Sequence, residues 1–148
     1  MGIDFQKPEP TNFPPESSKE PKYTTVGAAI LDLMGKENQV PNHVPLKHKP
    51  IVEARYGYVK EGCKLNVDDL PPELAVATRK DSKTGVVSNY SHVFKRLDRN
   101  KPSTTMVPGH NAFPIHPILN RTLTAREAAR IQTFPDNHIF FRKWLNLF

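Results

Sequence analysis

Four groups of residues in this chain have types and spacing that could do chemistry. Cys63 sits in Glu61-Gly62-Cys63-Lys64, where a neighbouring ammonium group favours the thiolate that would act as a nucleophile. A single cysteine is more often an inert small side chain, and no base is spaced to activate it. His43 and His48, or His110 and His116, have spacings compatible with chelation. One cysteine and no HExxH pattern leave them without a full ligand set, so no metal site is expected. No two of the seven glycines form a GxG pair, which removes the glycine-rich phosphate and dinucleotide fingerprints. The fourth group is basic. Arg79, Lys80, Lys83, Lys95, Arg96, Arg99 and Lys101 face only Asp81 and Asp98, a balance suited to a phosphate backbone. Local chemistry thus points to a binding module rather than an autonomous enzyme.

Charge placement supports this. The net charge is +6, and residues 1–50 contribute none of it, with six basic and six acidic side chains. Proline is 15 of 148 residues and the apolar fraction is 37%, so the expected fold is α+β: a small, loop-rich mixed domain with short strands and short helices. A lone cysteine fits a reducing, cytoplasmic setting. No apolar run reaches the ~20 residues of a membrane span. The N-terminus lacks an apolar signal core, and Gln6 spoils Met1-Gly2 as a myristoylation start.

The elements that must hold these groups follow from local signals. Residues 1–24 carry Pro8, Pro10, Pro14, Pro15 and Pro21 and read as a linker or an extended strap. Thr25 caps a helix expected to run to Met34 and stop at Gly35. A loop spans residues 41–50, and a helical turn begins near Pro71-Pro72-Glu73-Leu74. Residues 86–97 and 104–107 read as strands. The clearest signal comes last. Thr124 with Glu127 three residues on forms a capping box, and Leu123 can pack on Ala128 as its staple. Pro135 disfavours helical geometry at Phe134. This two-turn helix is too short to persist unpacked. Ala128 and Ala129 give it a small face for a neighbour, while Arg126 and Arg130 read as solvated arginines on one side.

Residues 121–136, Arg-Thr-Leu-Thr-Ala-Arg-Glu-Ala-Ala-Arg-Ile-Gln-Thr-Phe-Pro-Asp, closely resemble the ninth motif of DNA (cytosine-5)-methyltransferases, R-x-L-T-x-R-E-x-A-R-I-Q-x-F-P-D. The run Arg96-Leu97-Asp98-Arg99-Asn100-Lys101-Pro102-Ser103-Thr104-Thr105-Met106 resembles the R-L-x-x-x-x-P-[SA]-x-T-[LIV] run of the family's target-recognition domain. Phe113-Pro114-Ile115-His116-Pro117 resembles the approach to the ninth motif.

The resemblance implies a recognition domain over residues 25–136 that lies in the major groove of double-stranded DNA. Arg96, Arg99, Lys101, Ser103, Thr104 and Thr105 are its candidate DNA contacts, the basic ones on phosphates. Arg121, Leu123, Thr124, Arg126, Glu127, Arg130, Gln132, Phe134 and Pro135 form the motif that docks this domain on a catalytic one. The family's chemistry adds a Pro-Cys thiolate to a flipped cytosine, contacts the ring with a Glu-Asn-Val glutamate and methylates C5 from S-adenosylmethionine. Here Cys63 follows Gly62, and Glu37-Asn38-Gln39-Val40 is a near miss for Glu-Asn-Val without its strand context. No catalytic residue is assigned, no cofactor is expected on this chain, and a separate catalytic chain or domain is the implied partner. The chain then reads as one half of a split enzyme or a truncated product. A non-catalytic interaction remnant and, more remotely, a basic RNA-binding module are the alternatives.

Residues 137–148 stand where the tenth motif is expected. Ile139, Phe140, Phe141, Trp144, Leu145, Leu147 and Phe148 make an apolar tail, expected to bind a partner or stay exposed rather than join the core.

Overall fold

The computed structural model describes residues 9–14, 16–75, 94–106 and 113–141. Three short helices, α1 (Val26–Ile30), α2 (Pro50–Gly57) and α3 (Ala125–Ile131), stand among loops and three 3-10 turns, Leu31–Leu33, Val67–Asp69 and Pro72–Leu74. Among the described residues, strand pairing consists of isolated bridges. The small loop-rich domain expected from composition is what forms.

Each helix is started locally and held by packing. Thr25 Oγ1 accepts the Ala28 amide at 3.2 Å, as a cap should. The helix is shorter than expected, tightening into the Leu31–Leu33 turn after Ile30 and leaving through Gly35 at φ 77°. α2 was not foreseen. Lys49 gives it no side-chain cap, but Pro50 occupies the first turn, where its fixed φ and missing N–H do no harm. The 3-10 turn at Pro72–Leu74 stands at the expected place. Thr124 and Glu127 complete the capping box of α3 in both directions.

Two apolar clusters form the core. Val26, Ile30, Leu97 and Leu123 make one, with Met106, Phe113 and Ile131 against it. Tyr56, Val59, Leu65 and Ile115 make the other, with Val52, Leu70 and Phe94 at its edge. Residues 94–97 thread between them. Bridges pair Lys64 with Lys95 antiparallel, Arg96 with Ile115 parallel, and Ile115 with Thr122 antiparallel. A narrow ladder therefore crosses the domain one residue pair at a time. Of the two expected strands, 86–93 and 107 lie outside the described residues. Residues 94–96 pair only through single bridges, and 104–106 are irregular.

α1 packs against α3 and is seated on the 99–101 segment. The Gly27 amide donates to Arg99 O at 2.8 Å and the Val26 amide to Lys101 O at 2.9 Å. A Cβ at Gly27 would lie 2.8 Å from Arg99 O, so only glycine permits this approach. On the other side, α2 holds both sides of the gap between Ala75 and Phe94. Arg55 donates to Leu74 O at 2.9 Å and Ala75 O at 2.7 Å, and the rings of Tyr56 and Phe94 stand 5.7 Å apart. The N-terminal segment turns back on itself through a bridge between Phe13 and Lys22. Residues 142–148, most of the expected apolar tail, lie outside the described part. Within that part, Phe141 is 90% exposed.

Candidate functional site

The 121–136 stretch is built around buried polar groups. Arg121 grips the Glu127 carboxylate with two bonds, Nη1 to Oε2 at 2.8 Å and Nη2 to Oε1 at 2.7 Å. Glu37 adds a second carboxylate 3.7 Å from Arg121. Glu127 Oε2 also accepts the Thr124 amide at 2.7 Å. Burial pushes the Glu127 carboxyl upward, but the hydrogen bonds from Arg121 and the Thr124 amide outweigh it and hold the group below its ordinary value.

Two histidines complete this network through hydrogen bonds. His43 Nε2 faces Leu33 O at 3.0 Å, and a carbonyl can only accept, so the proton is there. His43 Nδ1 therefore accepts from the Thr124 hydroxyl at 2.9 Å. His116 Nδ1 accepts the amides of Ile118 and Leu119 at 3.1 and 3.0 Å, which puts the ring proton on Nε2. That atom is buried without a hydrogen-bond partner, 3.8 Å from Glu127 Oε1. Burial, partly opposed by Glu127, draws the His116 pKa down to about 4.

The solvated arginines expected on α3 need correcting. Arg126 is fully buried. Its Nε donates to Pro41 O at 2.9 Å, Nη1 to Pro135 O at 3.0 Å and Nη2 to His138 O at 2.6 Å. Arg130 forks onto Asp136 and reaches Asp32 at 2.5 Å, with Ala29 O as a further acceptor. These loops carry carbonyls that no helix or sheet satisfies, and a guanidinium with fixed donors meets that need. Asn42 plays a similar part, bonding both the N–H and the C=O of Phe140 at 2.9 Å. Leu123 is buried in the core, while Phe134 is 40% exposed beside His138 and Phe140.

The candidate DNA contacts separate into three environments. Arg96 is corrected first. It is 5% exposed, and its five N–H donors go to Val59 O, His116 O, Leu119 O, Tyr56 O and Asn120 Oδ1. Nothing remains for a phosphate. Arg99 is half-exposed but forks onto Glu61 at 2.8 and 2.9 Å. The hydrogen bonds from Arg99 lower the Glu61 carboxyl to about 2. Lys101 is exposed and lies 3.2 Å from Asp98. Ser103, Thr104 and Thr105 come together along a groove of about 490 Å³ that Ile131, Gln132 and Thr133 at the end of α3 also line. The partners of Arg96 and Arg126 are mostly backbone oxygens of separate segments, a pattern no local sequence signal carries.

The family model for C-5 cytosine-specific DNA methylases matches residues 2–145. The chain belongs to the C-5 cytosine-specific DNA methylase family. The type II methyltransferase M.NgoFVII of Neisseria gonorrhoeae is 34% identical over 142 residues, 94% of this chain and 34% of that protein. M.BbvI of Brevibacillus brevis is 31% identical over 143 residues, 95% of this chain and 34% of its own length. The chain thus spans about a third of the length of these two relatives. The type II methyltransferase M.AquIB of a Picosynechococcus species is 34% identical over 101 residues, 68% of this chain but 59% of that protein. M.AquIB is therefore a much shorter chain than the other two.

Membership in this methylase family implies S-adenosylmethionine for a complete enzyme. The described groove does not fit it. Its walls hold hydroxyls, an amide and Arg130, with no carboxylate for ribose hydroxyls or a sulfonium and no ring for adenine. No catalytic step is drawn through the cofactor here. Among the described residues, no cluster of histidine, cysteine and carboxylate groups could hold a metal, and no helix is long and apolar enough to cross a membrane.

Proposed function

We propose that this chain is the target-recognition portion of a DNA (cytosine-5)-methyltransferase and binds duplex DNA for a catalytic domain or chain that carries the nucleophile and S-adenosylmethionine. One observation carries the reading: the two stretches that resemble family motifs meet in one body. Met106 from the 96–106 run and Ile131 from the 121–136 stretch pack on the same core cluster, and both stretches line one groove. The docking motif spends its polar groups on organising the domain's loops, so it sets the shape in which Ser103, Thr104 and Thr105 are presented. Those hydroxyls suit base edges or phosphate oxygens. Arg99 and Lys101 supply positive charge that Glu61 and Asp98 partly offset. The short length of M.AquIB adds support for a methyltransferase chain that carries less than the usual full set of parts.

Binding measured at one salt concentration against duplex DNA, single-stranded DNA and RNA tests this reading. Preference for duplex, weakening as salt rises, is the expected result. Preference for RNA, or no duplex affinity, would overturn it. Purified alone, the chain is expected to transfer no methyl group, since it has neither Pro-Cys nor Glu-Asn-Val. Adding a chain that carries these motifs should restore transfer. Labelled methyl groups entering DNA with this chain alone would contradict the division of labour.

A further inference from the structure

We propose that Lys64 and Lys95, which face each other across the ladder, form a clamp for a backbone phosphate of the duplex. The inference rests on the duplex-binding reading above and adds a contact to it.

The backbone fixes the geometry. Leu65 N donates to Phe94 O at 2.8 Å, and Arg96 N donates to Cys63 O at 3.0 Å. These bonds bracket Lys64 and Lys95, which face each other across an antiparallel bridge. That pattern marks a non-hydrogen-bonded pair, the closer of the two kinds, with Cα atoms about 4.5 Å apart. Leu65 and Phe94, next along each segment, turn into the Tyr56 cluster. Alternation then sends both lysines to the opposite face of the ladder, where Lys64 is exposed and Lys95 half-buried.

Like charges directly opposite each other destabilise a pair of strands. Folding gives no reason to place two ammonium groups here, and the neighbouring acids do not relieve them. Glu61 commits both oxygens to Arg99. Asp98 is held by Lys101 and the Asn100 amide. Among the described residues, neither Lys64 nor Lys95 makes an ion pair. The repulsion disappears when an anion sits between them. A phosphodiester fits, having two non-bridging oxygens and one charge, and a compact, strongly hydrated ammonium suits a phosphate as a point charge. Lys95 lies on the same 94–101 run that ends in Lys101, so a strand of DNA backbone could meet the clamp and Lys101 together.

The experiment uses the full chain and a mixed-sequence duplex, with affinity followed between about 50 and 200 mM salt. The double variant Lys64→Gln with Lys95→Gln should reduce the slope of log affinity against log salt by about 0.9, the value for one phosphate, and each single variant by less. The loss should be equal on unrelated sequences, because a phosphate contact carries no base information. Lys64→Arg with Lys95→Arg should keep the wild-type slope. The glutamine variants should melt no lower than wild type, since the repulsion is gone. If the wild-type chain binds duplex and the double glutamine variant keeps its full slope, the clamp is wrong and the duplex-binding reading survives. If the wild-type chain fails to bind duplex at all, both fall. A marked drop in melting temperature would show the lysines to be structural and would also overturn the clamp.

Discussion

Around α3, cationic side chains point inward; along the ladder that pairs 64 with 95, they point outward. The inward ones are arginines. Arg96, Arg121 and Arg126 are buried, and Arg55, Arg99 and Arg130 donate to neighbours in the fold. Every arginine among the described residues is thus engaged internally. Lysine does the opposite, with Lys64 and Lys101 exposed and Lys95 half-buried. The difference follows from chemistry. A guanidinium carries five donors in a fixed plane and is weakly hydrated, so it can gather the carbonyls of irregular loops. An ammonium holds its water and stays outside. In a domain with so little regular structure, arginines substitute for a sheet's hydrogen bonds. Net charge therefore overstates the positive charge left at the surface, which these lysines carry.

The largest expected effect would come from breaking the inward set. Arg96→Met leaves five oxygens without donors and should lower the unfolding free energy by about 3 kcal/mol or more, read from denaturant midpoints. Arg96→Lys should recover little of this, because three donors on one atom cannot reach acceptors spread over five residues. A loss below about 1 kcal/mol would mean the interior arginines are not structural.

Next comes pH. His116 is held neutral in the fold, with its pKa drawn from 6.5 to about 4. The unfolded chain takes up this proton first as pH falls, so stability should decline between those two values, by up to about 3 kcal/mol. His116→Asn can still accept the two amides of the turn but does not titrate, and should flatten that slope. Glu127 acts in the same direction at lower pH. Its folded value is depressed, so its contribution is present above the ordinary carboxylate range and is lost as pH falls through the folded value. A stability curve unchanged by His116→Asn would contradict this assignment.

Thr124→Ala should cost about 1–2 kcal/mol, since the cap and the donor to His43 Nδ1 go together. The smallest effect tests the outward set. Lys101→Gln should leave the thermal midpoint unchanged while weakening duplex binding at low salt, and a change in melting without a change in binding would reverse the comparison.

These effects also mark what the sequence reveals. Thr124 with Glu127, Thr25 and Gly35 act through residues three to ten positions apart, and all three devices stand where local rules place them. α2 escaped because Pro-Ile-Val-Glu-Ala-Arg-Tyr-Gly has no side-chain cap and little helical periodicity. The burial of Arg96 and Arg126 was invisible for a different reason. All their acceptors but Asn120 Oδ1 are backbone oxygens, present at every residue, so no side-chain pattern marks them. His43 and His116 are spaced like ligands but act as hydrogen-bonding joints, and spacing alone does not show which oxygens and amides they meet. The candidate site was thus legible as a stretch of chain, while the division of its residues between interior and surface needed the fold.

The anchoring of Ala75 and Phe94 by Arg55 and Tyr56 joins two points that the sequence keeps far apart. Both anchors come from neighbouring residues of one short helix that has no side-chain cap of its own. Tying two points of a chain together removes conformational freedom, a cost that rises only slowly with the number of residues between them. In this fold that cost is offset by two side chains of α2 where a sheet would use a row of backbone bonds.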